Sequence, residues 1–165
     1  VEWFVREILP KVRERRPDAV FRIVGAAPAA RVLALRATPG VEVTGTVPDV
    51  RPYLAGAAVV VAPLRIARGI QNKVLEGLAA GRPVVATPDA LDGIAARTGR
   101  DVLVGADAQG FATAVADVLL GLAPADLGSR GRRFVQRHHR WDVQLEAMDR
   151  LIADVVKPLS DQAAA

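Results

Sequence analysis

The chain has 165 residues, 51% hydrophobic but only 4% aromatic, and a net charge of +4. That length supports one domain, able to bury about 70% of its unfolded surface around an aliphatic, alanine-rich core, and the composition argues against disorder. The absence of cysteine excludes disulfides, thiolate zinc sites and thiol catalysis, and no signal-like segment or apolar run of roughly 18–20 residues is present, so a cytoplasmic chain is expected.

In chain order, the spacing of Trp3, Phe4, Ile8 and Leu9 predicts a helix over Val1–Arg16, ending before Pro17. It starts without a lead-in, which suggests a longer polypeptide. A strand over Val20–Gly25 follows, then a helix over Ala29–Ala37 closed by Pro39-Gly40, a strand over Val41–Thr44 and a short helix over Asp49–Ala55. The apolar run Ala57–Ala62, ended by Pro63, reads as a buried parallel strand. A polar loop with Arg65, Arg68 and Gly69 leads to a helix over Gln71–Ala80, stopped by Gly81 and followed by a strand over Val84–Thr87. A strand over Asp101–Val104 and helices over Ala108–Leu120, Ala125–His139 and Asp142–Val156 complete the chain. This alternation with short links predicts an α/β fold, a Rossmann-like, doubly wound parallel sheet of about five strands.

In such a sheet ligands bind where a strand's carboxyl end passes into the next helix. The loop before Gln71–Ala80 is therefore the candidate site. Free N–H groups and the positive end of the helix dipole favour an anion there, and Arg65, Arg68, Gln71, Asn72 and Lys73 surround it. A phosphate-bearing ligand is the first expectation. Gly69 permits a positive φ and close approach of backbone to ligand. On a helical wheel Val74, Leu75, Leu78 and Ala79 form the buried stripe, with Glu76 about 130° from its centre and Gln71 on the stripe in the first turn. Periodicity alone makes Glu76 a solvated carboxylate, and Gln71 either a ligand contact or a cap partner. Asp89 and Asp92 either cap a turn or face the cleft.

Arg130, Arg132, Arg133, Arg137, His138, His139 and Arg140 form the densest basic cluster. It lacks interleaved aromatics and any nucleic-acid reader motif, so no nucleic-acid partner is expected. A solvated helical face is the first reading and a peripheral contact with an anionic membrane surface the second. Adjacent helix residues point about 100° apart, so the two histidines are surface residues rather than joint metal ligands. Ser129 and Ser160 have no GxSxG context.

The stretch Ala62–Ala86 resembles the donor-binding half of retaining glycosyltransferases of family 4, which have the two-domain GT-B fold. The family pattern is Glu, seven residues, Glu, then a tail like Ala-Ala-Gly-x-Pro-Val-Val. Glu76 matches the second glutamate and Leu78-Ala79-Ala80-Gly81-Arg82-Pro83-Val84-Val85 the tail, whereas Arg68 stands at the first glutamate's position. Arg68–Lys73 is similar to a branch of sugar transferases found with exopolysaccharide systems. Phe21–Gly25, Gly45-Thr46-Val47-Pro48 and Arg140-Trp141-Asp142 resemble further family elements.

The resemblance implies the C-terminal half of a GT-B enzyme, with an N-terminal acceptor domain elsewhere and the segment 142–157 crossing back onto it. The enzyme would move a sugar from a nucleoside diphosphate donor to an acceptor hydroxyl with retention, in polysaccharide or glycolipid synthesis, without a metal or other cofactor. Glu76 would accept hydrogen bonds from both ribose hydroxyls, suiting a carboxylate's two acceptor oxygens. Gly25 would open onto the nucleotide and the Val47 backbone would read the base edge. Gly69, Gln71 and Asn72 would contact the nucleotide-sugar, and Arg68 and Lys73 would stabilise diphosphate or sugar. The 165-residue piece alone is expected to be inactive. The rivals are a non-catalytic nucleotide-binding module and a GT-B nucleotide-sugar epimerase.

Overall fold

Pro10 shapes the opening helix. It has no N–H to offer the carbonyl of Arg6, and its ring crowds that carbonyl. In the computed structural model, which describes residues 1–140, 145 and 148–153, the helix accordingly widens into a π turn over Phe4–Ile8 and continues as α1, Leu9–Arg15. Phe4, Val5, Ile8, Leu9 and Val12 are buried along one side of it.

Strands β1 (Phe21–Val24), β2 (Val41–Gly45), β3 (Val60–Ala62), β4 (Val84–Ala86) and β5 (Leu103–Val104) follow, every ladder parallel. The helices between and after them are α2 (Ala30–Leu33), α3 (Arg51–Gly56), α4 (Asn72–Ala79), α5 (Ala108–Leu119) and α6 (Leu127–His138). The helix expected over Ala29–Ala37 is α only in its first half. Its second half, Ala34–Ala37, tightens into a 3-10 turn, because Thr38 precedes a proline and cannot continue the helix. Asp107 caps α5 by accepting the Gly110 N–H at 2.7 Å.

The five expected strands are present and parallel, but they form two hydrogen-bonded groups rather than one: β1–β2 and β3–β4–β5. Between the edges of β1 and β3 lies a cavity of about 560 Å³. β1 is also less buried than expected, since Val20 is exposed and Arg22 faces solvent, bonded to Glu42 at 2.6 Å.

Alternation along the strands builds two cores, one on each side. Val85 joins the first with the π turn, α1, β2 and α5, while Val84 and Ala86 join the second with α4, α6 and Val102. β4 is buried on both faces, which its unbroken apolar sequence anticipates. Glycines set the spacing of the second layer. A Cβ on Gly128 would stand 2.2 Å from the Gly81 carbonyl oxygen, and one on Gly131 would stand 2.6 Å from Leu78. Trp141, most of the segment expected as the last helix and the residues 154–165 lie outside the described residues; Leu145 and 148–153 are helical. Among the described residues no helix is long and apolar enough to cross a membrane.

Candidate functional site

Helix α4 lies close on the sheet because its sheet-facing residue is a glycine. A Cβ on Gly77 would come 2.9 Å from Val60 and 3.0 Å from Val84. The buried side is therefore Val74, Gly77 and Leu78, with Leu75 half-buried, and Ala79 is exposed. This corrects the expected stripe by turning the helix toward Gly77. Glu76 remains exposed but stands at the rim of the β1–β3 cavity, with Lys73 one turn earlier and Val24 across from them.

The other half of the site comes from β1 and β2. Gly25 donates its N–H to the Gly45 carbonyl at 3.4 Å, and Gly45 has φ +77°, so the turn carrying Val47 begins on a residue suited to a left-handed backbone. Asp49 steadies the far end of that turn: it accepts the Arg51 N–H at 2.9 Å and bonds its guanidinium at 3.0 Å. Those hydrogen bonds from Arg51 hold the Asp49 carboxyl below the usual carboxylate range.

The loop from Pro63 to Ile70 is braced at both ends. Gln71 sits at the N-cap position of α4, yet its side chain caps nothing. Its Nε2 donates to the carbonyls of Arg68, at 3.2 Å, and Gly69, at 2.9 Å. Gly69 takes φ +65°, as its identity suggested. Arg68 is exposed and, among the described residues, its side chain has no partner. Arg68, Gly69, Gln71 and Asn72 line neither the β1–β3 cavity nor the second, smaller one, so the loop forms a rim rather than a wall.

Residue-by-residue reading of the sequence missed several members of this edge. Thr87, buried at the end of β4, donates Oγ1 to the Leu64 carbonyl and accepts the Ala90 N–H at 3.3 Å, tying the loop after β3 to the turn after β4. A hydroxyl ending an otherwise apolar strand was the available signal. Asp89 opens the 3-10 turn Asp89–Leu91. A second cavity of about 300 Å³ is bounded by Glu2, Trp3, Arg31, Leu64 and Arg65. Arg31 bridges to Glu2 at 3.3 Å, and the Arg65 guanidinium lies 6.0 Å from the centre of the Trp3 ring. With Arg68 and Lys73, these arginines make the carboxyl edge cationic.

Parallel α/β strands with a cationic carboxyl edge, glycine turns and a carboxylate at a cavity rim put the candidate site where open α/β folds take their ligands. Residues 1–120 match the family model "Glycosyl transferases group 1", and the chain belongs to that family. Among solved structures, it is similar to a glycosyltransferase from Rickettsia africae, with TM-score 0.75 and 12% identity over 93% of this chain and 45% of that one. The pneumococcal O-GlcNAc transferase GtfA, solved with UDP and GlcNAc, gives TM-score 0.72 and 13% identity over 94% of this chain and 33% of that one. Anabaena Alr3699/HepE, solved with UDP and glucose, gives 0.69 and 15% over 95% and 45%. The fold is the Rossmann-like α/β fold found in GT-B glycosyltransferases, and this chain spans less than half the length of each of these three. No curated protein matches the sequence.

Proposed function

We propose that the chain is the donor-binding domain of a retaining family 4 glycosyltransferase of the exopolysaccharide-associated branch. It takes a nucleoside diphosphate sugar at the carboxyl edge and, with an N-terminal acceptor domain, transfers the sugar to an acceptor hydroxyl in polysaccharide or glycolipid synthesis. The observation that carries this reading is the meeting of Glu76 and Lys73 with the end of β1 at one cavity rim. Ribose on Glu76 sets the diphosphate toward Lys73 and the first turn of α4, and the base toward Gly25 and Val47. The UDP complexes of GtfA and HepE support a uridine nucleotide as the first donor to try.

In the proposed reaction the bond from the anomeric carbon to the diphosphate breaks, and charge grows on the departing phosphate. N–H groups of the first turn of α4, Lys73 and Arg68 meet that charge, which is electrostatic catalysis with no metal required. Gly69, Gln71 and Asn72 present backbone and amide groups to the sugar side. The proposed cell location is cytoplasmic, with contact at the inner membrane face through the basic side of α6.

Calorimetric titration with UDP, GDP and ADP tests the reading. Binding of one of them, weakened by salt, is the expected result. No heat from any of the three at millimolar ligand removes the donor-domain assignment.

A further inference from the structure

The ladder between β3 and β4 ends at the pair Ala62 and Ala86, and one residue holds what lies beyond it. Thr87 gives its N–H to the Ala62 carbonyl at 3.3 Å, the last backbone rung. Its Oγ1 then donates to the Leu64 carbonyl on the departing loop and accepts the Ala90 N–H, at 3.3 Å, from the turn after β4. A hydroxyl has one proton, and Leu64 takes it. With Thr87 only 4% exposed, its side chain serves the two loops and not a ligand. The same two segments meet again further along, where a Cβ on Gly93 would lie 3.4 Å from Ile70. Between these contacts the loop carries Arg65 and Arg68, both exposed, and Gln71 braces its far end through the carbonyls of Arg68 and Gly69.

We propose that Thr87 is a positioning residue of the donor site: its hydroxyl fixes the loop after β3, so that Arg65 and Arg68 stand where the donor's diphosphate and sugar arrive. The inference rests on the donor-site reading above. Arginines on an untethered loop must be ordered anew at each binding event, whereas a loop already held loses less entropy when the anion arrives. The tether acts from the root of the loop, because Arg65 follows Leu64 directly and lies 6.0 Å from the centre of the Trp3 ring. The base and ribose are assigned to Gly25, Val47 and Glu76, none of which is on this loop. Thr87 therefore bears on the diphosphate and leaves the nucleoside alone.

Thr87→Val keeps the shape of the side chain and removes the hydroxyl. In calorimetric and NMR titrations it is expected to weaken UDP about five- to tenfold while changing the affinity for uridine less than about twofold. Thr87→Ser, which keeps the hydroxyl, is expected to restore UDP binding. Loop order is read separately. The chain has no cysteine, so Ile66→Cys, at a position 85% exposed on the loop, takes a single nitroxide label, and Leu122→Cys, 67% exposed between α5 and α6, takes the control label. Thr87→Val is expected to raise the mobility of the label at 66 and leave the label at 122 unchanged. Unchanged mobility at 66 overturns the tether. Equal weakening of UDP and uridine overturns the positioning role, since general loosening of the domain has that effect, and so does failure of Thr87→Ser to restore UDP binding. An unsubstituted chain that binds neither ligand removes the donor-site reading and this role with it, whereas an unchanged preference for UDP over uridine in Thr87→Val removes the role alone. Should Thr87→Val fail to fold, Thr87→Ala carries the same comparisons.

Discussion

Glu76 carries the most specific expectation at the scale of single residues. Replacing it with Gln keeps size and helix propensity but removes the charge and one of two acceptor oxygens. A hydrogen bond to a charged group is worth about 1.5–3 kcal/mol, so nucleotide affinity is expected to fall about tenfold or more, with stability changed by less than about 0.5 kcal/mol. The 2′-deoxy nucleotide is the control: it should bind the unsubstituted protein less well and lose little more with Glu76→Gln, because both remove part of one contact. Simple addition of the two effects in calorimetry separates Glu76 from the ribose. The wheel placed Glu76 on the solvent side, and it is exposed. What the wheel could not contain is that Gly77 draws α4 onto Val60 and Val84, which brings the preceding residue, Glu76, to the cavity rim. Gln71 was legible as unusual but not as a brace, since its partners are carbonyls of the loop rather than helix N–H groups.

Helix α6 concentrates the consequences at the scale of elements. Gly128 meets the Gly81 carbonyl where no Cβ fits, and the obstacle is backbone, which cannot rotate away. Gly128→Ala is therefore expected to destabilise by about 1–3 kcal/mol in urea unfolding, despite alanine's better helix propensity. At its other end, both histidine rings lie against Phe134, at 5.0 Å for His138 and 5.4 Å for His139. Burial, and then the neighbouring His138, holds His139 below the ordinary histidine range. The folded state thus favours the neutral ring. Its contribution is complete above the unfolded value of about 6.5 and declines as pH falls through the lowered folded value, because the unfolded chain takes up its proton first. Melting followed from pH 7.5 to pH 5 should show a slightly steeper loss for the unsubstituted protein than for His139→Asn; parallel curves reject the linkage.

Across the whole molecule the carboxyl edge is open on one side. Acceptor contacts and exclusion of water need a second surface, so the 165-residue chain is expected to bind nucleotide without transferring sugar. A transfer assay with the purified chain and a labelled donor checks this, and turnover would reject the shared-cleft model. Much of the architecture was legible because α/β alternation writes a period and a punctuation mark into nearly every element. Boundaries were less so: β3 begins at Val60 rather than Ala57 because pairing with Val84, not hydropathy, defines it. The division of the sheet was invisible, since strand order and the space between β1 and β3 belong to no single segment. Contacts such as Trp3 with Arg65, and Thr87 with Leu64, join distant parts of the chain and have no local signature.

The division of the sheet also means that two units of different tenacity share one polypeptide. β3, β4 and β5 are clamped between α4, α6 and α5, whereas β1 and β2 reach the remainder mainly through the opening helix. Denaturant should release the β1–β2 unit first, giving earlier loss of signal from a probe near Tyr53 than from one near Phe134. Gly25 and Val47 ride on the looser unit, and Lys73 and Glu76 on the firmer one. A nucleotide gripping both is then a staple across the molecule. Saturating UDP should draw the two transitions together, turning a ligand into part of the protein's cooperativity.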